Sequence, residues 1–116
     1  MRFMMLVKAD KGSESGALPD EKLISEMLKF NEEMARAGVL LAGEGLQPSS
    51  KGVRVKLSGG KRTVTSGPFG HTEELLAGYW MIQVKSLQEA IDWAMRCPNP
   101  TPGGEPEIEI RQVFEA

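Results

Sequence analysis

Two short runs without a charged residue, Phe3-Met4-Met5-Leu6-Val7 and Tyr79-Trp80-Met81-Ile82-Gln83-Val84, limit this chain more than any other feature. Each is bounded by charge or glycine and is too short for a helix of ordinary length. As strands they put apolar side chains on alternate faces, so both faces of a sheet built on them need cover.

Only two segments offer that cover. Pro19-Asp20-Glu21 places proline and acids in the first turn of a helix, which runs to about Ala37. Its apolar positions Leu23, Ile24, Met27, Leu28, Met34 and Ala35 recur at helical spacing, and Gly38 ends it as a left-handed cap. Ser86-Leu87-Gln88-Glu89 has the spacing of a capping box and opens a second helix, with Leu87, Ala90, Ile91, Ala94 and Met95 as its core stripe. Cys97-Pro98 closes it, because the residue before proline avoids helical geometry.

Between these landmarks, residues 11 to 19 read as a polar loop and Val39 to Ala42 as a second strand. Val53, Val55 and Leu57 alternate with Arg54 and Lys56, and Ser58-Gly59-Gly60-Lys61 turns the chain toward Arg62-Thr63-Val64-Thr65, a β-hairpin. Asn99 to Pro106 is a Pro/Gly loop, and Ile108 and Ile110 begin a last strand. The order βαβ, hairpin, βαβ predicts an α+β ferredoxin-like sandwich, an antiparallel sheet with two helices on one face and an added hairpin. Two helices leave the other face bare. A self-complementary second copy is the commonest cover, so a homodimer with facing sheets, and a ligand cavity between them, is expected.

A chain of 116 residues with 41% hydrophobic and 26% charged residues fits one globular domain, 1 to 116. The net charge of −2 gives no general reason to expect nucleic acid or an anionic membrane. The basic run Lys51, Arg54, Lys56, Lys61 and Arg62 has no interleaved aromatics for base stacking and reads as charge that protects an exposed edge. Cys97 stands alone, and no Cys/His cluster has metal-ligand spacing. The five-residue apolar start is too short for a signal-peptide core or a membrane span, so the expected location is cytoplasmic. The seven methionines read as core filling, and Gly43-Glu44-Gly45-Leu46-Gln47-Pro48 lacks the residues of a phosphate loop. No cofactor or metal is expected.

Chemistry concentrates from Val64 to Val84, where a Gly/Pro-rich loop with the only histidine meets the most aromatic strand. Within it, Val64 to Phe69 (V-T-S-G-P-F) and Gly78 to Trp80 (G-Y-W) carry a resemblance, together with Phe30 to Leu40 (F-N-E-E-M-A-R-A-G-V-L), Ala42 to Pro48 (A-G-E-G-L-Q-P) and Glu109 to Arg111 (E-I-R). The chain resembles the YciI-like (YCII-related) proteins, and among them the DGPF subgroup, over nearly its whole length. The resemblance implies a dimeric α+β barrel of ferredoxin-like halves. Some relatives look like acid/base enzymes acting on small molecules, and some subgroup genes are associated with extracytoplasmic-function sigma factors, which implies a link to such a pathway.

At the subgroup's motif the chain departs. The usual D-G-P-F-A-E-T-K-E stands here as Ser66-Gly67-Pro68-Phe69-Gly70-His71-Thr72-Glu73-Glu74, so the aspartate is Ser66 and the first glutamate is His71. Two functional classes follow. In one, the protein is a small-ligand-binding or regulatory dimer whose cavity near this loop is shaped by Ser66, Gly67, Pro68, Phe69, Tyr79 and Trp80. In the other it is a cofactor-free acid/base enzyme of lyase or isomerase type, with His71 as the proton carrier and Glu74 beside it. The plainer readings are a surface histidine at 71, a tight turn at Gly67-Pro68, and packing roles for Tyr79 and Trp80.

Overall fold

Burial alternates along the first strand. Phe3, Met5 and Val7 are buried, whereas Arg2, Met4, Leu6 and Lys8 are half-buried. This one-sided burial orients the computed structural model, which describes residues 1–115. In chain order it contains β1 (Arg2–Lys8), α1 (Lys11–Glu14), α2 (Glu21–Arg36), β2 (Leu40–Gly45), a 3₁₀ turn (Ser49–Lys51), β3 (Val53–Ser58), β4 (Lys61–Ser66), a second 3₁₀ turn (Thr72–Glu74), β5 (Leu76–Gln83), α3 (Leu87–Met95) and β6 (Ile108–Gln112). The main sheet has the order β2-β5-β1-β6 with every pairing antiparallel, and β3-β4 forms a separate two-stranded sheet. This is the ferredoxin-like α+β sandwich with an added hairpin. β1 is central, as its apolar run requires.

The core lies between the sheet and the two long helices: Phe3, Met5, Trp80 and Ile82 from the strands meet Phe30 and Met34 of α2 and Ala90 and Trp93 of α3. In α2 the buried stripe is Leu23, Phe30 and Met34. Ile24 and Leu28, one residue further round the helix, are exposed. In α3 the buried residues are Ala90 and Trp93, while Leu87 and Met95 point outward. The periodicity identified both helices but rotated each stripe, because a wide apolar arc does not say which edge the sheet will meet. Arg96 at the end of α3 donates to Glu33 of α2 at 2.6 Å, joining the helices outside the core.

Local signals fix the helix ends. Asp20, rather than the proline before it, caps α2 by accepting from the Leu23 amide at 2.8 Å, and Gly38 follows with φ 74°. Ser86 accepts from the Glu89 amide at 3.1 Å, but the Glu89 carboxylate reaches back to the Lys85 amide instead of to Ser86. The stretch 11–19, expected as a loop, contains α1. Asp10 and Ser13 form a full capping box there, the Ser13 amide donating to Asp10 and the Asp10 amide to Ser13, both at 2.9 Å. That Asp-x-x-Ser pairing is the signal a search for Glu or Gln three residues after a cap overlooks.

Cys97 packs against the core from just beyond α3. Burial pushes its thiol up from 9.0 to about 11. The folded chain therefore holds this proton more tightly than the unfolded chain does. Stability from this group is full below pH 9 and is lost as pH climbs toward about 11, where the unfolded thiol has already ionised. Urea midpoints measured across that interval should fall more steeply in the wild type than in Cys97→Ala, and the thiol should react slowly with disulfide reagents near neutral pH.

Candidate functional site

The loop after β4 is held by backbone and side chains from two other segments. Ser66 pairs with Val53 at the base of the hairpin, and the Gly67 amide donates to the Gly52 carbonyl at 2.9 Å. The Gly67–Pro68 peptide is cis. A Cβ at Gly67 would collide with the Ser49 carbonyl oxygen, so the close approach of these two segments admits only glycine. One residue on, the Phe69 amide donates to Ser49 Oγ at 3.1 Å, and the Arg54 guanidinium lies over the Phe69 ring, 3.9 Å from its centre.

Ser49 is in turn held by Glu14. Its amide donates to Glu14 Oε2 at 2.9 Å and its hydroxyl donates to Glu14 Oε1. An amide, a hydroxyl and a carboxylate thus run in series from Phe69 to α1. Charge-assisted hydrogen bonds of this kind are the stronger class. Neither Ser49 nor Glu14 was singled out by sequence: 35 residues separate them and no spacing rule connects them.

His71 and Glu74 lie in the same turn. His71 adopts left-handed backbone angles, φ 57° and ψ 72°, and its carbonyl accepts the Glu74 amide at 2.9 Å. Its side chain meets Glu73 rather than Glu74, with Nδ1 3.4 Å from Oε1. Both side chains of that pair are about three-quarters exposed, at 76% and 73%, so solvent screens the interaction. A cleft of about 480 Å³ beside the turn touches Thr72, Glu73, Lys8, Asp10, Lys11 and Glu107, and so carries charges of both signs.

Tyr79 and Trp80 point to opposite sides of β5, as alternation requires. Trp80 is buried on the helix side, its Nε1 donating to Asn31 Oδ1 at 2.8 Å and its ring meeting Phe30 edge-on, centres 5.4 Å apart at 87°. Gly43 pairs with Trp80 across the sheet, and a Cβ there would stand 2.5 Å from Trp80 Cδ1, so the flat ring lies directly on backbone. Beside it opens a groove of about 810 Å³, walled by Leu23, Ile24, Met27, Leu28, Leu46 and Pro48. Pro48 immediately precedes Ser49, so the groove's rim and the anchored 66–71 loop share one turn.

On the opposite, open face of the sheet the register aligns Glu44, Tyr79, Leu6 and Glu109 in one row. Ala42, Met81, Met4 and Arg111 form the next. Apolar side chains fill the middle of these rows, with Glu44 on the β2 edge and the ion-paired Glu109 and Arg111 on the β6 edge.

The structure thus brings Ser66, Gly67, Pro68 and Phe69 together with Ser49, keeps His71 and Glu74 in an exposed turn, and divides Tyr79 from Trp80. Among the described residues no group of three or more His, Cys, Asp and Glu side chains could hold a metal ion, and no helix is long and apolar enough to cross a membrane.

A family model described as the YCII-related domain matches residues 1–115. An uncharacterised protein of Rhizobium meliloti (strain 1021) is 31% identical over 97 residues, covering 83% of this chain and 78% of that protein.

Proposed function

From the premise that the chain belongs to the YCII-related family, matched over residues 1–115, we propose that it is a homodimeric, small-ligand-binding protein that works without catalysis, in the cytoplasm. The observation that carries this reading is the groove against Trp80. Its volume of about 810 Å³ suits a small organic molecule, its walls are aliphatic, and the tryptophan floor is held rigid by Asn31 and Phe30. Such a site selects a largely apolar ligand by shape. Ser13, Asp20, Asn31, Gln47 and Thr101 also line it and would orient a polar end of the ligand. The homodimer follows from the open sheet face, where Met4, Leu6, Tyr79 and Met81 are only half-buried in the single chain.

The enzyme reading draws on one observation, the His71–Glu73 pair at 3.4 Å beside the charged cleft. A general base needs an orienting partner and a site that encloses the reacting atom, and this pair has the first.

One probe separates the two readings. The amphiphilic dye 1-anilinonaphthalene-8-sulfonate should bind the folded protein and quench Trp80. Ile24→Glu and Leu28→Glu, both exposed on the groove wall, should weaken its binding about tenfold or more while leaving the fold intact. His71→Ala should leave binding unchanged. Dye affinity indifferent to the two groove variants would overturn the groove as the ligand site, and a turnover lost specifically in His71→Ala would establish the enzyme.

A further inference from the structure

We propose that the groove against Trp80 selects an uncharged ligand with a carbonyl oxygen, which accepts a hydrogen bond from Asn31 Nδ2. This rests on the groove reading above and adds to it the ligand's polar group and the residue that recognises it.

Asn31 ends an otherwise apolar stripe. Ile24, Met27, Leu28 and Asn31 recur at the i, i+3, i+4, i+7 spacing of one helix face, and all four line the groove. Trp80 Nε1 donates to Asn31 Oδ1 at 2.8 Å. An indole nitrogen can only donate, so this bond fixes which end of the amide meets the ring and turns Nδ2 away from it. Among the described residues none accepts from Nδ2, and none leaves an unpartnered side-chain nitrogen sealed from solvent. The amide N–H groups of the half-buried Asn31 therefore stand open where the residue borders the groove.

Other polar groups of the lining are committed elsewhere. The Ser13 hydroxyl donates to the Asp10 carbonyl and accepts the Asp10 amide, Asp20 accepts the Leu23 amide, and the Thr101 hydroxyl donates to Asp10 at 3.5 Å. Gln47 is exposed. Beside the ring the sheet leaves room for a ligand. Gly43 pairs with Trp80 and Gly45 with Gly78, so the helix-facing side of the sheet carries no side chain there. A Cβ at Gly45 would meet nothing within 4 Å.

Charge sets the ligand's class. The charged residues of the lining are Lys8, Asp20 and Glu44, two carboxylates against one ammonium. A carboxylate ligand would meet net repulsion and give up strong hydration for one bond from a neutral amide, whereas a ketone, ester or amide oxygen gives up far less.

Nitrogen–proton correlation NMR of the whole chain with three probes of similar size tests this. Butylbenzene and the matching ketone butyrophenone should both move the Trp80 indole signal, which reports filling of the groove, but only the ketone should move the Asn31 side-chain amide signals downfield. Asn31→Asp keeps an oxygen for the indole and removes the donor. It should weaken butyrophenone about fivefold and leave butylbenzene unchanged. The anion hydrocinnamate should bind the wild type about tenfold or more weakly than the ketone. Asn31 signals that respond alike to butylbenzene and butyrophenone, or a ketone affinity indifferent to Asn31→Asp, overturn the role of Asn31 and leave the groove standing. Hydrocinnamate bound as tightly as the ketone overturns the uncharged class. A Trp80 signal that no probe moves overturns the groove and this inference with it.

Discussion

Replacing Trp80 with alanine should lower the unfolding free energy by about 3–5 kcal/mol, the largest single-residue effect expected in this molecule. The ring is 7% exposed and touches three kinds of neighbour: the edge of Phe30, the amide of Asn31, and the bare backbone of Gly43. Gly43 cannot move in to fill the space, because β2 is fixed to β5 by the sheet, so a cavity remains. For a domain of this size the thermal midpoint should drop by about 4 °C or more for each kcal/mol lost. Trp80→Phe separates the contributions. It keeps most of the apolar volume but leaves the half-buried Asn31 carbonyl without its donor, which should cost about 1–3 kcal/mol. Chemical denaturation of the two variants side by side checks the ranking; equal losses would mean that the hydrogen bond, not the packing, dominates.

Gly67→Ala should have the second largest effect, and a local one. The new methyl would occupy the position of the Ser49 carbonyl oxygen, and backbone cannot swing aside as a flexible side chain does. One of the two segments must withdraw, breaking the hydrogen bonds that the Phe69 amide donates to Ser49 Oγ and the Gly67 amide to the Gly52 carbonyl. A cost of about 2–3 kcal/mol is expected from the forced shift together with the lost bonds. Hydrogen exchange gives the discriminating readout. The Phe69 and Gly67 amides should exchange much faster in the variant, while those of β1 and β5, remote from the collision, keep their protection. Uniform acceleration across the sheet would show that the loop is part of the cooperative core instead of an anchored appendage.

Much of this architecture is legible in the chain. The uncharged runs at 3–7 and 79–84 identify the strands that carry the core, and alternation at Val53, Val55 and Leu57 identifies the hairpin, because side-chain direction in a strand is a local property. Gly38 with φ 74° and Asp20 as a cap are likewise local. The rotated helix stripes show where local reasoning stops. Ile24 and Leu28 are as apolar as Leu23 and Met27, yet only packing decides that Leu23 is buried and Met27 half-buried while Ile24 and Leu28 stand exposed on the groove wall. Trp93 of α3 is buried for the same reason, while Leu87 and Met95, equally apolar, are not.

The candidate site divides along the same line. The 66–71 loop was marked by its glycine, proline and histidine, all of which restrict or enrich local conformation. What holds that loop was not marked, because the chain from Phe69 through Ser49 to Glu14 joins residues remote in sequence through hydrogen bonds that no periodicity records. Nor could sequence choose between Glu73 and Glu74 as the partner of His71; the 3₁₀ turn at Thr72–Glu74 directs Glu73 to it.

Sequence by itself determined the strands, the two long helices and their order, though not α1, since each follows from the alternation and spacing of side chains along one strand or helix. The tertiary structure alone decided that the groove lies against Trp80, that Ser49 and Glu14 anchor the loop, and that the hairpin stands away from its own core. Those outcomes depend on which distant surfaces meet, and close approach in space is a property of the folded chain that no local pattern encodes.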